Sequence, residues 1–373
     1  MPRIAINLWI LRNKKYDGIG YYSIKTTQEL LRNHPDHHFL LLLPTNYIED
    51  FFDFPNASSY KIFPPLRHAV LYWIWTELFL PIFFLFIKVD KIYAPDGFIS
   101  PLVMAPQYPV IYDLNFVRYP EGLKWWNRTF YNTYIKKYAN RAKKIITISE
   151  FSKKEIEEIY KPKPPIEIVY CSTVLKEVEV VSGDQKDKNP YFFFIGSLIP
   201  RKNLSRLIVA FDKFRSRINE DVELKIAGNI SWDAEALQDT MKSVNHPQAI
   251  KILGRVSEAD KLQLTRQAVA LCFPSIYEGF GMPILEGFEC NTPVITSNVS
   301  SMPEIGDNAA LYIDPFSVDS IADALLKMYK NENGLREQLI SNGKERLKDF
   351  SWEKSGQELS RILELRPKDQ TPE

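Results

Sequence analysis

Apolar residues in this chain come in short continuous runs, separated by stretches where they recur every three or four positions. "RIAINLWIL" (3–11), "HFLLLLP" (38–44), "KIYAP" (91–95), "PVIYDL" (109–114), "KIITIS" (144–149) and "IEIVY" (166–170) predict buried parallel strands. Helical periodicity lies between several of them, as at 22–32 and 153–160. The polar segment "KEVEVVSGDQKDKNP" (176–190) then reads as a linker. Beyond it the alternation restarts with "YFFFIG" (191–196), "VELKIAG" (222–228), "IKILG" (250–254), "VALCFPS" (269–275), "PVITS" (293–297) and "AALYID" (309–314). This pattern predicts an α/β protein of two Rossmann-like, doubly wound domains, 1–183 and 184–351, with a ligand cleft at the carboxyl ends of the strands. A last helix, 352–367, is expected to pack back on the first domain.

One run departs from this alternation. "HAVLYWIWTELFLPIFFLFIKVDK" (68–91) is nearly long and apolar enough to span a bilayer, but carries Glu77 and Pro81 in its middle. A buried helix pair or helix-turn, an interfacial element and a true span are the three readings, in that order.

Composition narrows the function. The chain has 373 residues and a formal net charge of +1, which argues against a nucleic-acid binder. Its three cysteines, Cys171, Cys272 and Cys290, are far apart, so neither a disulfide framework nor a zinc site is expected. The N-terminal run is too short for a signal peptide, which makes the cytoplasm the expected compartment. Charge is uneven: residues 118–154 hold ten Lys or Arg against two acids, Glu121 and Glu150. Within them, "GLKWWNRTFYNTYIKKYANRAKK" (122–144) interleaves aromatics with cations. That suits an anionic lipid surface, and equally a helix with buried rings and solvated lysines.

The chemistry concentrates in three loops. In "YEGFGMPILEGF", Pro283 suits the first turn of a helix from about Met282, and Gly279, Phe280 and Gly281 precede it. Backbone amides at such an N-terminus attract phosphate. Glu278 is expected in the loop and Glu286 in the first helical turn, either as a ligand contact or as a residue favoured by the helix dipole. Little packing is expected of Glu286, so its loss should leave the fold intact. In "FFFIGSLIPRKNLSRL", Gly196 and Ser197 form a strand-to-helix loop, Asn203 suits the N-cap, and Arg201 and Lys202 stand at the loop tip. They are either solvated surface cations or the counter-charge of an anion. In "DGIGYYS", Gly18 and Gly20 let backbone come close to a ligand. Cations for a diphosphate and carboxylates for hydroxyls together describe a nucleotide sugar.

These segments carry a resemblance. "YEGFGMPILEGF" resembles the E-x7-E signature of the retaining GT-B glycosyltransferases of family 4, also called glycosyltransferase group 1. "DGIGYYS", "YDLNFVRYPEG", "TISEFSKKEI", "GSLIPRKN" and "SSMPEIGDNAALYIDP" resemble its other segments in order. The resemblance implies the GT-B fold, two Rossmann-like domains facing each other across a cleft. It implies transfer of a hexose from a nucleoside diphosphate sugar with net retention. Glu286 would accept the ribose hydroxyls and Glu278 those of the donor sugar. The amides of Phe280, Gly281 and Met282 would hold sugar and distal phosphate, and Arg201 and Lys202 the leaving diphosphate. Gly18 and Gly20 would approach from the other domain.

No cofactor and no metal are expected, the basic pair standing where a metal would. The resemblance favours GDP-mannose over a UDP-sugar as donor. It points to a glycan or lipid-linked acceptor in surface polysaccharide synthesis; the apolar stretch 70–87 and the basic, aromatic stretch 122–144 add the expectation of peripheral contact at the inner face of the membrane. Where many relatives have histidine before aspartate, this chain has Tyr112 before Asp113. Tyr112 would then bond the donor sugar and Asp113 orient the acceptor, unless Asp113 is a cap. A non-catalytic sugar-nucleotide binder and a GT-B epimerase or phosphorylase are the alternative functions.

Overall fold

The computed structural model describes residues 2–12, 16–45, 47, 50–62, 69–122, 125–175, 188–229 and 234–365. The chain forms two compact units, Met1–Ser172 with Phe350–Glu373, and Thr173–Asp349. The linker reading at 176–190 lies, up to residue 187, outside the described residues.

The first unit is built on strands β1 (Arg3–Asn7), β2 (His38–Pro44), β3 (Ala57–Ile62), β4 (Lys91–Ala94) and β5 (Gln107–Pro109). They form a parallel sheet in the order β3-β2-β1-β4-β5. A second parallel pair, β6 (Ile145–Thr147) and β7 (Ile166–Ile168), meets it through a bridge between Val110 and Ile146. Two expectations need correction. The first apolar run leaves the sheet at Asn7, whose side-chain amide donates to Asp96 Oδ1 and to the Phe98 carbonyl; Trp9–Arg12 then forms a 3-10 turn. "PVIYDL" supplies the last residue of β5 and the bridging Val110, after which the chain turns away.

The helix Gly18–Asn33 carries Tyr22, Ile24, Leu30 and Leu31 into the core. Trp352–Ile362 packs directly on it: a Cβ on Gly356 would stand 2.3 Å from Glu29 Cβ. A hydrogen bond between His34 Nε2 and Ser360 Oγ at 2.8 Å adds to that contact. Within the apolar run, residues 69–86 form one helical stretch: Ala69–Ile74, a wide π turn Trp75–Phe79 and Leu80–Phe86. Trp75 and Leu80 pack with Trp9 and Leu42, and Thr76 Oγ1 accepts from Tyr138 Oη at 3.0 Å. Its other faces leave Trp73, Leu78, Ile82, Leu85 and Phe86 exposed. No described helix is long and apolar enough to cross a membrane.

The second unit holds β8 (Tyr191–Ile195), β9 (Glu223–Ala227), β10 (Ile250–Gly254), β11 (Ala270–Phe273), β12 (Val294–Ser297) and β13 (Ala310–Ile313). All run parallel in the order β10-β9-β8-β11-β12-β13. Phe192 and Phe194 on β8, Leu224 and Ile226 on β9, and Leu207, Ile208 and Phe211 of the helix Leu204–Arg215 share one core. Strand order reverses between β8 and β11, the switch point where open α/β sheets bind ligands.

The closeness of Gly356 to Glu29 makes a direct prediction. Gly356→Ala should lower stability by about 1–3 kcal/mol through overpacking, read by thermal unfolding. An unchanged midpoint would contradict the docking of the last helix.

Candidate active site

The site is assembled from the loops after β8, β11 and β12. The β8 loop is narrow because β9 crowds it: a Cβ on Gly228 would stand 1.8 Å from the Gly196 carbonyl oxygen. Only glycine fits there. After Gly196 and the exposed Ser197, Pro200–Lys202 makes one 3-10 turn and Leu204–Arg215 follows. Asn203 occupies the cap position without capping. Its backbone is left-handed (φ 64°), whereas a capping side chain needs extended backbone to reach the first-turn amides. Its amide instead donates to the carbonyls of Pro274 at 3.1 Å and Pro315 at 2.6 Å. Asn203 thus pins three strand-end loops together.

The β11 loop is buried from Tyr277 through Gly281. Gly281, at φ 107°, turns the chain into the helix Met282–Glu289, with Pro283 in its first turn and no side chain capping it. Two serines of the β12 loop hold the backbone in place. Ser300 Oγ accepts from Glu278 N at 2.9 Å and donates to Glu278 O at 2.6 Å. Ser301 Oγ lies 2.9 Å from Glu278 O and 2.7 Å from Phe280 O, and donates to them.

Charge then joins the first two loops. Glu278, 8% exposed, takes Arg201 Nη1 on Oε2 at 2.9 Å and Lys202 Nζ on Oε1 at 2.6 Å. Arg201 Nη1 also donates to the Tyr277 carbonyl at 2.9 Å, and Lys202 Nζ stands 4.8 Å from the centre of the Phe273 ring. Burial pushes the Glu278 carboxyl up, but Lys202 and then Arg201 outweigh it and hold it below its usual range. The two cations are therefore not solvated surface residues; with one carboxylate they form a cluster of formal charge +1.

Glu286 lies elsewhere than expected. The helix opens at Met282, so Glu286 is its fifth residue, beyond the first turn, and is 6% exposed. Its Oε1 pairs at 2.8 Å with Nζ of Lys261, which also pairs with Glu258 Oε2 at 2.7 Å. Burial alone would lower the Lys261 amine; Glu286 and then Glu258 hold it above its ordinary value. Truncating Glu286 would strip a buried lysine of its buried partner, so the expectation that its loss spares the fold does not hold.

Comparison with known proteins identifies the domain that the second unit forms. Residues 176–346 match the sequence model of the glycosyl transferases group 1. The chain carries a group 1 glycosyltransferase domain. It is 28% identical over 282 residues to the O-antigen chain mannosyltransferase B of Escherichia coli, 71% of each protein. It is also 28% identical over 206 residues to an O-antigen chain mannosyltransferase of Salmonella typhimurium, covering 55% of this chain and just over half, 56%, of that one. Among solved structures, Anabaena HepE in complex with UDP and glucose superposes with a TM-score of 0.72 at 16% identity, covering 98% of this chain and 100% of that one. The fold is GT-B.

In the first unit of this glycosyltransferase, the sequence-predicted residues have local partners. Gly18 and Gly20 are not a loop before the helix but its first turn, because Asp17 caps it by accepting from Gly20 N at 3.1 Å. Tyr112 donates its hydroxyl to the Pro95 carbonyl at 2.7 Å and packs edge-on against Tyr22. Asp113 accepts from Asn115 N at 2.9 Å across a two-residue turn, one position before Leu114, the cap residue of the short helix Asn115–Arg118. In the group 1 domain, sequence reasoning misses Lys261, Ser300 and Ser301: nothing in "SSMPE" distinguishes loop-clasping serines from ordinary turn residues.

The buried cluster has a pH signature. With its pKa depressed, Glu278 contributes stability above its unfolded value of about 4.5, and that contribution is lost as pH falls through the lower folded value. Lys202→Met should therefore cost about 2 kcal/mol at pH 7, by urea denaturation, and progressively less below pH 4.5. A cost independent of pH would mean that Lys202 acts through packing.

Proposed function

We propose that this glycosyltransferase moves mannose from GDP-mannose to a growing surface glycan on a lipid-linked acceptor, with retention at the anomeric carbon. The observation that carries the reading is the Arg201–Glu278–Lys202 cluster, set beside the uncapped start of Met282–Glu289 at the switch point of a group 1 domain. The mannose assignment is supported by the O-antigen mannosyltransferases among its relatives. The structural neighbour crystallised with UDP and glucose supports a nucleotide-sugar donor.

In this reading the diphosphate lies against Arg201 and Lys202 and the amides of Gly281 and Met282, so charge that develops on the leaving oxygen meets cations and a helix dipole already in place. Glu278 accepts hydroxyls of the hexose and Glu286 those of the ribose. The bond from the anomeric carbon to the phosphate oxygen breaks, the acceptor oxygen bonds that carbon from the same face, and the acceptor proton passes to the departing phosphate. No histidine base is needed for that step, which accommodates Tyr112. Of the first unit's residues, Gly18, Gly20 and Tyr112 serve the donor and Asp113 the acceptor. The basic pair supplies the charge that a divalent ion would otherwise provide.

Membrane contact is the second part of the proposal. The described faces of 69–86 leave Leu85 and Phe86 open to solvent, Phe86 at 84%. In Trp125–Arg141 the rings divide: Phe130 and Tyr138 are core, while Trp125 and Trp126 are exposed on a helix bearing Lys136 and Lys137. Exposed apolar residues with nearby cations suit the cytoplasmic, anionic face of a membrane.

Two measurements test this. A panel of nucleoside diphosphate sugars, scored for binding and slow hydrolysis, should give GDP-mannose the strongest signal, undiminished by EDTA. No hydrolysis of any donor would sink the activity reading, and loss in EDTA the metal-free one. Flotation with anionic liposomes should carry the protein upward at low salt and release it at high salt, with Leu85→Asp/Phe86→Asp staying below. Failure of the unaltered protein to float would remove the membrane assignment.

A further inference from the structure

Lys261 is a buried cation with two carboxylate partners, and neither the signature nor its spacing announces it. Lysine is almost never this buried, 8% exposed, unless paired. It sits on the inner side of the helix Glu258–Gln267 beside Leu262 and Thr265. An apolar residue there would pack without any desolvation cost. Replacing a buried ion pair by apolar groups is often neutral or favourable, so stability does not account for the lysine. Glu258 does not account for it either: that carboxylate is 43% exposed and reaches Lys261 from the previous turn.

Its buried partner is Glu286, and the pairing is one-sided. Lys261 Nζ meets Oε1, while Oε2 has no hydrogen bond or ion pair among the described residues. The scaffold around the pair is tied as well. Thr265 Oγ1 donates to the Lys261 carbonyl at 2.7 Å, and Thr292 Oγ1, just past the helix that carries Glu286, donates to the Thr265 carbonyl at 2.7 Å.

We propose that Lys261 is a positioning residue of the donor site: it clamps Glu286 by Oε1 so that Oε2 is presented to the vicinal hydroxyls of the nucleotide ribose. The inference rests on the donor-site reading above and assigns the part of the ligand through which Lys261 acts. A carboxylate on a free side chain would have to be ordered at each binding event; one already held by a cation, itself held by Glu258, is ordered beforehand.

The test is calorimetric titration of GDP and UDP, each with its 2′,3′-dideoxy analogue, into the unaltered protein, Lys261→Met and Lys261→Arg. Lys261→Met should weaken the preferred ribonucleotide tenfold or more and leave its dideoxy analogue unaffected. Lys261→Arg should recover most of the loss. Equal weakening of both nucleotides, or none of either, overturns the proposal while leaving the donor site standing. If the unaltered protein binds neither GDP nor UDP, the donor reading fails and this inference fails with it. Should Lys261→Met not fold, Lys261→Gln, which keeps a hydrogen-bond donor without charge, carries the same comparison.

Discussion

The second unit is organised around one constraint: the Glu278 carboxylate is out of water and must be paired there. An isolated buried carboxylate would take up a proton. Arg201 and Lys202 prevent that, and in doing so require the loops after β8 and β11 to meet. Backbone bonds follow the same seam: Ile276 N donates to the Arg201 carbonyl at 2.7 Å, and Asn203 reaches the carbonyls of Pro274 and Pro315. Ser300 and Ser301 close the assembly from the β12 side. The loops are thus held by many short polar contacts, a rigid arrangement suited to precise ligand placement.

How much of this the chain announces depends on the range of the interaction. Buried parallel strands are continuous apolar runs, so β1, β2 and β4 and all six strands of the second unit were readable. β3 was not, because "ASSYKI" lies at the sheet edge, where polar side chains are tolerated. The dense spacing of "EGFGMPILE" and the adjacent cations of "RKN" marked the two halves of the Glu278 cluster. Their pairing could not be read, since it joins Glu278 to Arg201 and Lys202, residues far apart in the chain, through a loop geometry that no local pattern encodes. Asn203 shows the reverse error: its residue type suits a cap, but a left-handed backbone sent its side chain into a tertiary contact. Lys261 is the hardest case. Its helix reads as polar, with a Ser257–Asp260 capping box, and nothing in the order of residues says which lysine turns inward.

The two charge clusters also resolve why acids crowd a turn built to attract anions. Arg201 and Lys202 with Glu278 sum to a formal +1; Glu258 and Glu286 with Lys261 sum to −1. A single acidic patch beside the helix start would repel a diphosphate. Here the carboxylate nearest that start is over-compensated by two cations, so that side of the proposed donor site stays positive. The carboxylate further along the helix carries the surplus negative charge, where hydroxyl groups rather than phosphate would be met. Each carboxylate is held by a cation and still has acceptor capacity left for a donor hydroxyl. Separating the two signs along one helix lets a single ligand, anionic at one part and rich in hydroxyls at others, find complementary charge throughout.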